Sequence, residues 1–120
     1  MPKILEGRRI MVVEDDFLIA MEVQDLLTEL GAEVVGPFGR LTPAVDAATR
    51  EQLHGAFLDV QLEGETIEEV AELLVARGVP VLLATGYEKA QLAPSLQHLP
   101  RVRKPYNEKE LRGVLERAYR

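Results

Sequence analysis

The chain alternates short apolar runs with longer segments of helical period, and this alternation restricts its fold more than any other feature. Four runs are brief, rich in β-forming residues and nearly continuous, which is typical of strands buried on both faces of a parallel sheet. They lie at residues 10–13, 34–35, 56–58 and 81–84. A fifth segment, Arg101-Val102-Arg103, alternates in polarity and predicts an edge strand with one exposed face.

Helical patterns fill the intervals between these runs. The first interval predicts a helix that ends at Gly31, because its apolar residues recur at helical spacing. These residues are Phe17, Ala20, Met21, Leu27 and Leu30, and Met21 is interpreted as filler of the core. In the second interval, Thr42-Pro43 is typical of an N-cap followed by proline in the first turn, which predicts a helix through about Thr49.

The later intervals predict three more helical segments. Thr66 and Glu69 have the spacing of a capping box, which predicts the start of a third helix. Two prolines within 88–100 predict a short or irregular helix, because proline removes a helical hydrogen bond. A last helix is predicted over 107–119. Strand and helix thus alternate five times, which indicates a doubly wound α/β fold with helices on both faces of a parallel sheet.

Composition restricts the function. Cysteine is absent, which excludes disulfide frameworks, thiolate zinc sites and cysteine nucleophiles. The net charge is −6, and the basic excess is confined to residues 101–120, where acids are interleaved, so we expect no nucleic-acid partner. No signal-peptide or membrane-spanning pattern occurs. We therefore expect a single cytoplasmic domain over 1–120, without an effector domain and without membrane association.

Charged and hydroxyl side chains follow four of the five predicted strands. Glu14-Asp15-Asp16 follows the first strand, Asp59 the third, Thr85 the fourth and Lys104-Pro105 the fifth. In a doubly wound sheet, ligands bind outside the carboxyl ends of the strands. We therefore expect these side chains to converge at one edge of the sheet.

The acidic residues at that edge favour a cation site. Carboxylates packed together are unfavourable unless a cation or a proton joins them, and Mg²⁺ binds carboxylate oxygens. The sequence therefore predicts a magnesium site that includes Asp59, with Lys104 as a nearby point charge. A solvated acidic loop is the alternative. A flavin or dinucleotide site would need glycines at the first strand-to-helix turn, and none occurs there.

The acidic pair, Asp59, Thr85 and Lys104-Pro105 at successive strand ends resemble the receiver domain of two-component response regulators, over essentially the whole chain. The resemblance implies a flavodoxin-like (βα)5 fold with strand order 2-1-3-4-5. It implies that Asp59 accepts a phosphoryl group, that Lys104 pairs with this group and that Thr85 supplies the switch hydroxyl. It also implies a Mg²⁺ cofactor held by Asp15 directly, by Glu14 through water, by Asp59 and by the backbone carbonyl of Gln61.

Residues 79–87 indicate a particular subgroup of receiver domains. They resemble a subgroup of receivers named for a Phe-Ala-Thr-Gly-hydrophobic-Tyr-type signature, here with Leu83 in the Phe position and no extra residue before Tyr87. Arg101 stands where most receivers carry an aromatic switch residue. The resemblance therefore implies that signalling depends on reordering of residues 86–100, with Gly86 and Tyr87 in the switch loop.

The resemblance also implies partners. A histidine kinase or histidine phosphotransfer protein would donate the phosphoryl group, and the receiver, a monomer or weak dimer, would contact a downstream protein, relay phosphate or act as a phosphate sink. It would catalyse its own phosphorylation and dephosphorylation and no other reaction. Phe17 and Leu18 fit either the core or a kinase-docking face. A receiver-like interaction module that works without phosphorylation is the alternative, and an aspartyl-phosphate phosphatase would need an aspartate in place of Gln61.

Overall fold

A computed structural model describes residues 3–62, 65–86 and 92–120. The strands in these ranges are β1 (Arg9–Val13), β2 (Glu33–Phe38), β3 (Gly55–Asp59), β4 (Gln61–Leu62), β5 (Glu65–Thr66), β6 (Val81–Thr85) and β7 (Arg101–Arg103). The α-helices are α1 (Phe17–Glu29), α2 (Leu41–Arg50), α3 (Glu68–Ala76) and α4 (Glu108–Tyr119). A single turn of 3-10 helix covers Pro94–Leu96.

The strands form one five-stranded parallel sheet in the order β2-β1-β3-β6-β7, and β4 and β5 form a separate antiparallel pair. Without that pair, the order is the predicted 2-1-3-4-5, so the flavodoxin-like fold is confirmed. The register pairs Met11 with both Val35 and Ala56, and Leu58 with Leu83. Because all five strands run in the same direction, their carboxyl ends lie along one edge.

Two hydrophobic clusters cover the two faces of this sheet. Successive residues of β1 belong to opposite clusters: Met11 and Val13 lie in the cluster with α2 and α3, and Ile10 and Val12 in the cluster with α1 and α4. Every residue of β3 and β6 is buried. Burial on both faces explains why these strands have nearly continuous apolar runs.

Helix α1 covers the sheet with only part of its apolar surface. Ala20 and Leu27 are buried as predicted, whereas Phe17 is 73% exposed and Met21 is 38% exposed. The interpretation of Met21 as core filler is therefore wrong. At 100° per residue, Phe17, Leu18 and Met21 share a face adjacent to the one that packs on β1, so periodicity alone cannot separate the two faces.

Two predicted helix starts are wrong. α2 begins after Arg40, which has extended backbone and no side-chain capping bond, so Thr42 lies within the first turn. α3 begins after the fully buried Ile67, again without a side-chain cap. Thr66 belongs to β5, whose pairing with β4 holds its backbone in a strand. In both cases packing, rather than a capping side chain, sets the first turn.

The segment between β6 and β7 agrees with the expected short or irregular helix where it is described. Residues 92–100 contain the 3-10 turn, and the buried Leu92, Leu96 and Leu99 join the cluster beneath α3. Residues 87–91, which include Tyr87, lie outside the described ranges. No helix in the described part of the chain is both long and apolar enough to cross a bilayer.

The last helix ties the end of the chain to the sheet. Asn107 caps α4 by accepting a hydrogen bond from the backbone N–H of Glu110 at 2.8 Å. Tyr119 is buried, and its hydroxyl donates to the carbonyl oxygen of Ala56. A Cβ at Gly55 would collide with the Tyr119 ring, so glycine is required at the start of β3.

Candidate functional site

The predicted side chains meet at the carboxyl edge of the sheet. Glu14 follows β1, Asp59 ends β3 and Thr85 ends β6, and these three strands are neighbours. The three residues are 3%, 4% and 2% exposed, respectively. They are the buried polar or charged residues of the described ranges, and all three are predicted site residues. Since burying polar groups is unfavourable without a compensating interaction, their concentration marks this edge as the site.

Three carboxylates form a compact cluster. Glu14, Asp15 and Asp59 each place a carboxylate oxygen so that the three oxygens lie within 4.8 Å of one another. Asp15 is exposed, whereas the other two are buried. The backbone N–H of Glu14 donates to the carbonyl oxygen of Phe38 at 2.9 Å, which fixes the start of this loop against β2.

Asp16, the third acid after β1, has a different role. Its Oδ1 accepts hydrogen bonds from the backbone N–H groups of Leu18 at 3.0 Å and Ile19 at 3.2 Å, so Asp16 is the N-cap of α1. Its own backbone N–H donates to Oε2 of Glu14 at 3.2 Å. Asp16 therefore holds the helix start and orients Glu14.

Lys104 joins the two buried carboxylates. Its Nζ lies 3.2 Å from Oε1 of Glu14 and 3.2 Å from Oδ1 of Asp59. The backbone N–H of Lys104 donates to the carbonyl oxygen of Thr85 at 2.9 Å, which holds the lysine next to the end of β6. The peptide bond between Lys104 and Pro105 is cis.

The electrostatics of the cluster follow from burial and like charge. Burial raises the pKa of Glu14 to about 7, and the hydrogen bond and charge of Asp59 add to the rise, against the Asp16 amide and Lys104. Burial lowers the pKa of Lys104, but the charges of Asp59 and Glu14 outweigh this effect, so its pKa is raised overall. Lys104 thus stays charged, while Glu14 binds a proton over part of the neutral range.

These residues fit a small divalent cation. Three carboxylates lie together with the ammonium of Lys104, and burial together with Asp59 raises the pKa of Glu14. A hard cation such as Mg²⁺ takes oxygen ligands of this kind and keeps several waters. Among the described residues, the carboxylates of Glu14, Asp15 and Asp59 can hold it.

The remaining predicted residues differ in their placement. Gln61 lies two residues beyond Asp59, where its backbone belongs to β4. Gly86 follows Thr85 and is exposed, and Arg101 is exposed on the edge strand β7. Tyr87 lies outside the described residues, so its predicted place in the switch loop has no structural counterpart here.

Two features next to the site do not follow from the sequence pattern. Phe17 and Leu18 follow the acidic residues directly and are 73% and 77% exposed. Both side chains therefore lie on the surface and not in the core. Tyr106, two residues beyond Lys104, has a buried hydroxyl without a hydrogen-bond partner among the described residues. Side-chain polarity alone could not reveal either feature, because both depend on which neighbours cover them.

The chain is similar to known regulatory proteins of bacteria. No family model matches the chain. The phyllosphere-induced regulator PhyR of Methylorubrum extorquens is 32% identical over 115 residues, which cover 91% of this chain and 42% of PhyR. The chain spans about half the length of the curated relatives that it matches.

Solved structures give a closer match in length. SdrG from Sphingomonas melonis Fr1 is 32% identical, with a TM-score of 0.77 over 90% of this chain and 92% of SdrG. The receiver domain of the sensor histidine kinase PA1611 from Pseudomonas aeruginosa PAO1, with magnesium coordinated in its active-site cleft, has a TM-score of 0.78. Its 22% identity, over 94% of this chain and 98% of that domain, shows a shared fold alone. Further matches are also described as receiver domains of response regulators.

Proposed function

The chain belongs to the receiver domains of response regulators, which are signalling proteins of two-component systems, and we propose that it accepts a phosphoryl group on Asp59. One observation carries this proposal. A buried aspartate ends the central strand, lies in a cluster of three carboxylates and contacts the ammonium of Lys104 at 3.2 Å. This arrangement gives a carboxylate nucleophile with positive charge beside it.

The proposed donor is a phosphohistidine on a histidine kinase or a histidine phosphotransfer protein. A carboxylate oxygen of Asp59 forms the new O–P bond while the N–P bond breaks, and the imidazole leaves with the electron pair and takes up a proton. The transition state of such transfers is loose, so positioning and charge supply most of the catalysis. Lys104 supplies positive charge that meets a phosphoryl oxygen, and β3 fixes the position of Asp59.

A magnesium ion would supply the rest of the positive charge. We propose that Asp15 and Asp59 bind it directly, Glu14 through a water, and Gln61 through its backbone carbonyl. The exposure of Asp15 supports its direct role, because a ligand at the rim of a buried cluster is open to an incoming hydrated ion. The magnesium in the PA1611 receiver domain, which shares the fold, agrees with such a site.

The proposed response begins at Thr85. Its hydroxyl and the Gly86 amide would hydrogen-bond the new phosphoryl group, which adds about two negative charges and strong acceptors. The backbone bond from Lys104 to Thr85 links this movement to β7. Because Arg101 is exposed and not aromatic, the change would pass to the segment 86–100, with Tyr87 part of it, rather than to a side chain on β7.

We propose that Phe17, Leu18 and Met21 form the face that binds the phosphoryl donor. They are 73%, 77% and 38% exposed and begin one residue after the N-cap Asp16. An exposed apolar patch beside a reactive carboxylate is typical of a protein-binding surface. The phosphorylated receiver would act in turn by contact with a downstream protein.

The decisive experiment is incubation with Mg²⁺ and acetyl phosphate, followed by intact-mass spectrometry. The wild type should gain one phosphoryl group, and Asp59→Asn should gain none. Asp46→Asn is the matched control, since Asp46 is an exposed acid on α2 whose carboxylate pairs with Arg50 on the same helix. Labelling of Asp59→Asn would remove Asp59 from the scheme, and an unlabelled wild type would favour a module that works without phosphorylation.

A further inference from the structure

The hydroxyl group of Tyr106 is buried and has no hydrogen-bond partner in the described part of the chain. Its hydroxyl oxygen is shielded from solvent, whereas the hydroxyl of Tyr119, also buried, donates to the carbonyl oxygen of Ala56. An unpaired buried donor destabilises a folded protein, because it has lost its water without gaining another acceptor. A donor of this kind therefore needs a physical explanation.

The position of Tyr106 links it to the acidic cluster. It follows Lys104-Pro105 directly, and Lys104 contacts the carboxylates of both Glu14 and Asp59. The ring packs against the core cluster that includes α1 and α4. With Ile19 and Glu22 of α1, it also lines a cavity of about 390 Å³ beside Lys104. The side chain thus borders an open space beside Lys104.

The hydroxyl is a donor at every physiological pH. Burial raises the pKa of Tyr106, and the negative charges of Glu14, Glu22 and Asp59 raise it further. A neutral phenol in such a field is stabilised when its O–H bond points toward negative potential. Two of these carboxylates, on Glu14 and Asp59, are already engaged with Lys104 in the protein alone.

We propose that the Tyr106 hydroxyl donates its hydrogen bond to an oxygen that arrives when the site is loaded, and so positions the arriving group. This oxygen belongs either to a water on the divalent cation or to the phosphoryl group on Asp59. The second case rests on the proposed function, whereas the first needs only the cation site. Tyr106 is then a positioning residue that lowers the stability of the empty protein and raises the affinity of the site for its ligands.

The test is Tyr106→Phe, which removes the hydroxyl and keeps the ring. In chelator, the thermal midpoint of the variant should rise by roughly 2 to 4 °C, because the unpaired donor is gone. Its affinity for a ligand, measured by calorimetry, should fall about tenfold, as for other groups that support metal ligands. A fall in affinity for Mg²⁺ alone identifies a cation-bound water as the acceptor. Beryllofluoride is a mimic of the phosphoryl group, and a fall in affinity that occurs only in its presence identifies the phosphoryl oxygen.

Tyr119→Phe is the matched control, since it removes a hydroxyl that has a partner. The thermal midpoint of Tyr119→Phe should fall. Its affinities for Mg²⁺, alone and with beryllofluoride, should equal those of the wild type. The proposal is overturned if the Tyr106→Phe midpoint in chelator fails to rise, if this variant does not fold, or if it binds both ligands as the wild type does. An unlabelled wild type with a tenfold loss of Mg²⁺ affinity in Tyr106→Phe would instead overturn only the proposed phosphoryl transfer.

Discussion

At the scale of residues, the site brings the carboxylates of Glu14, Asp15 and Asp59 together with the ammonium of Lys104. Lys104 lies 3.2 Å from both Glu14 and Asp59, yet burial and the neighbouring Asp59 still raise the pKa of Glu14 to about 7. The contact with Lys104 therefore does not offset the effects of burial and of Asp59 on the pKa of Glu14. Glu14 binds a proton over part of the neutral range, and a divalent cation would compete with this proton.

The first prediction concerns the pH dependence of Mg²⁺ affinity. Because Glu14 binds a proton below about pH 7, affinity should rise by roughly three- to tenfold per pH unit from pH 5.5 to 7 and level off above. Calorimetry in buffers of different ionisation enthalpy would measure the protons released. Glu14→Gln should release none at these pH values. A pH-independent affinity in the wild type would contradict the raised pKa of Glu14.

The stability of the metal-free protein should change with pH in the opposite direction. The folded pKa of Glu14 lies above its unfolded value of 4.5, so the folded state binds more protons between these values. The contribution of Glu14 to stability is therefore complete below about pH 4.5 and is lost as the pH rises through about 7. Urea unfolding in chelator from pH 5 to 8 should show this decrease, and Glu14→Gln should reduce it.

At the scale of elements, the start of α1 has two roles in one loop. Asp16 caps the helix through its side chain and orients Glu14 through its backbone, so the helix and the site share a boundary. The same helix leaves Phe17, Leu18 and Met21 exposed next to the site. Helix α1 thus packs one face on the sheet and leaves another face accessible to a partner protein.

Asp16→Ala should remove the cap and lower the free energy of unfolding by about 1 kcal/mol, the usual cost of losing an acidic N-cap. Asp16→Asn should restore most of this loss, because asparagine caps nearly as well. Both changes are measured by urea unfolding in chelator. Equal stability of Asp16→Ala and the wild type would show that the two bonds to Leu18 and Ile19 contribute nothing net.

At the scale of the whole molecule, the sheet brings together residues that are far apart in the chain. Glu14 and Lys104 are separated by 90 positions, and their contact exists only when β1, β3, β6 and β7 are assembled. A ligand that binds this assembled edge must therefore stabilise the entire fold. It binds the native state and not the unfolded chain, which lacks the cluster.

Mg²⁺ at about one hundred times its dissociation constant should therefore raise the free energy of unfolding by about 2.7 kcal/mol. Asp15→Asn should lose most of this gain, because it removes the exposed member of the cluster. Its stability in chelator should equal or exceed that of the wild type, since one repelling charge is gone. If Mg²⁺ stabilises Asp15→Asn as much as the wild type, Asp15 is not a ligand of the ion.

The sequence by itself determined the order of elements and which side chains meet at one edge of the sheet. Alternating apolar runs and helical periods specify a parallel sheet, and that topology places Glu14, Asp59, Thr85 and Lys104 at one edge. The residues after each strand are read from short segments, and the helix between successive strands indicates that the strands run parallel. For the same reason, Lys104 could be placed beside the carboxylates before any contact was known.

Only the tertiary structure decided which groups are covered and by what. It assigned Asp16 to a helix cap, exposed Phe17 and Met21, and began α3 after the antiparallel pair of β4 and β5 instead of at a capping box. It also left the hydroxyl of Tyr106 buried without a hydrogen-bond partner in residues 3–62, 65–86 and 92–120. Burial and hydrogen-bond partners depend on neighbours that are distant in the chain, and a local pattern gives a side chain's face but not what packs against it.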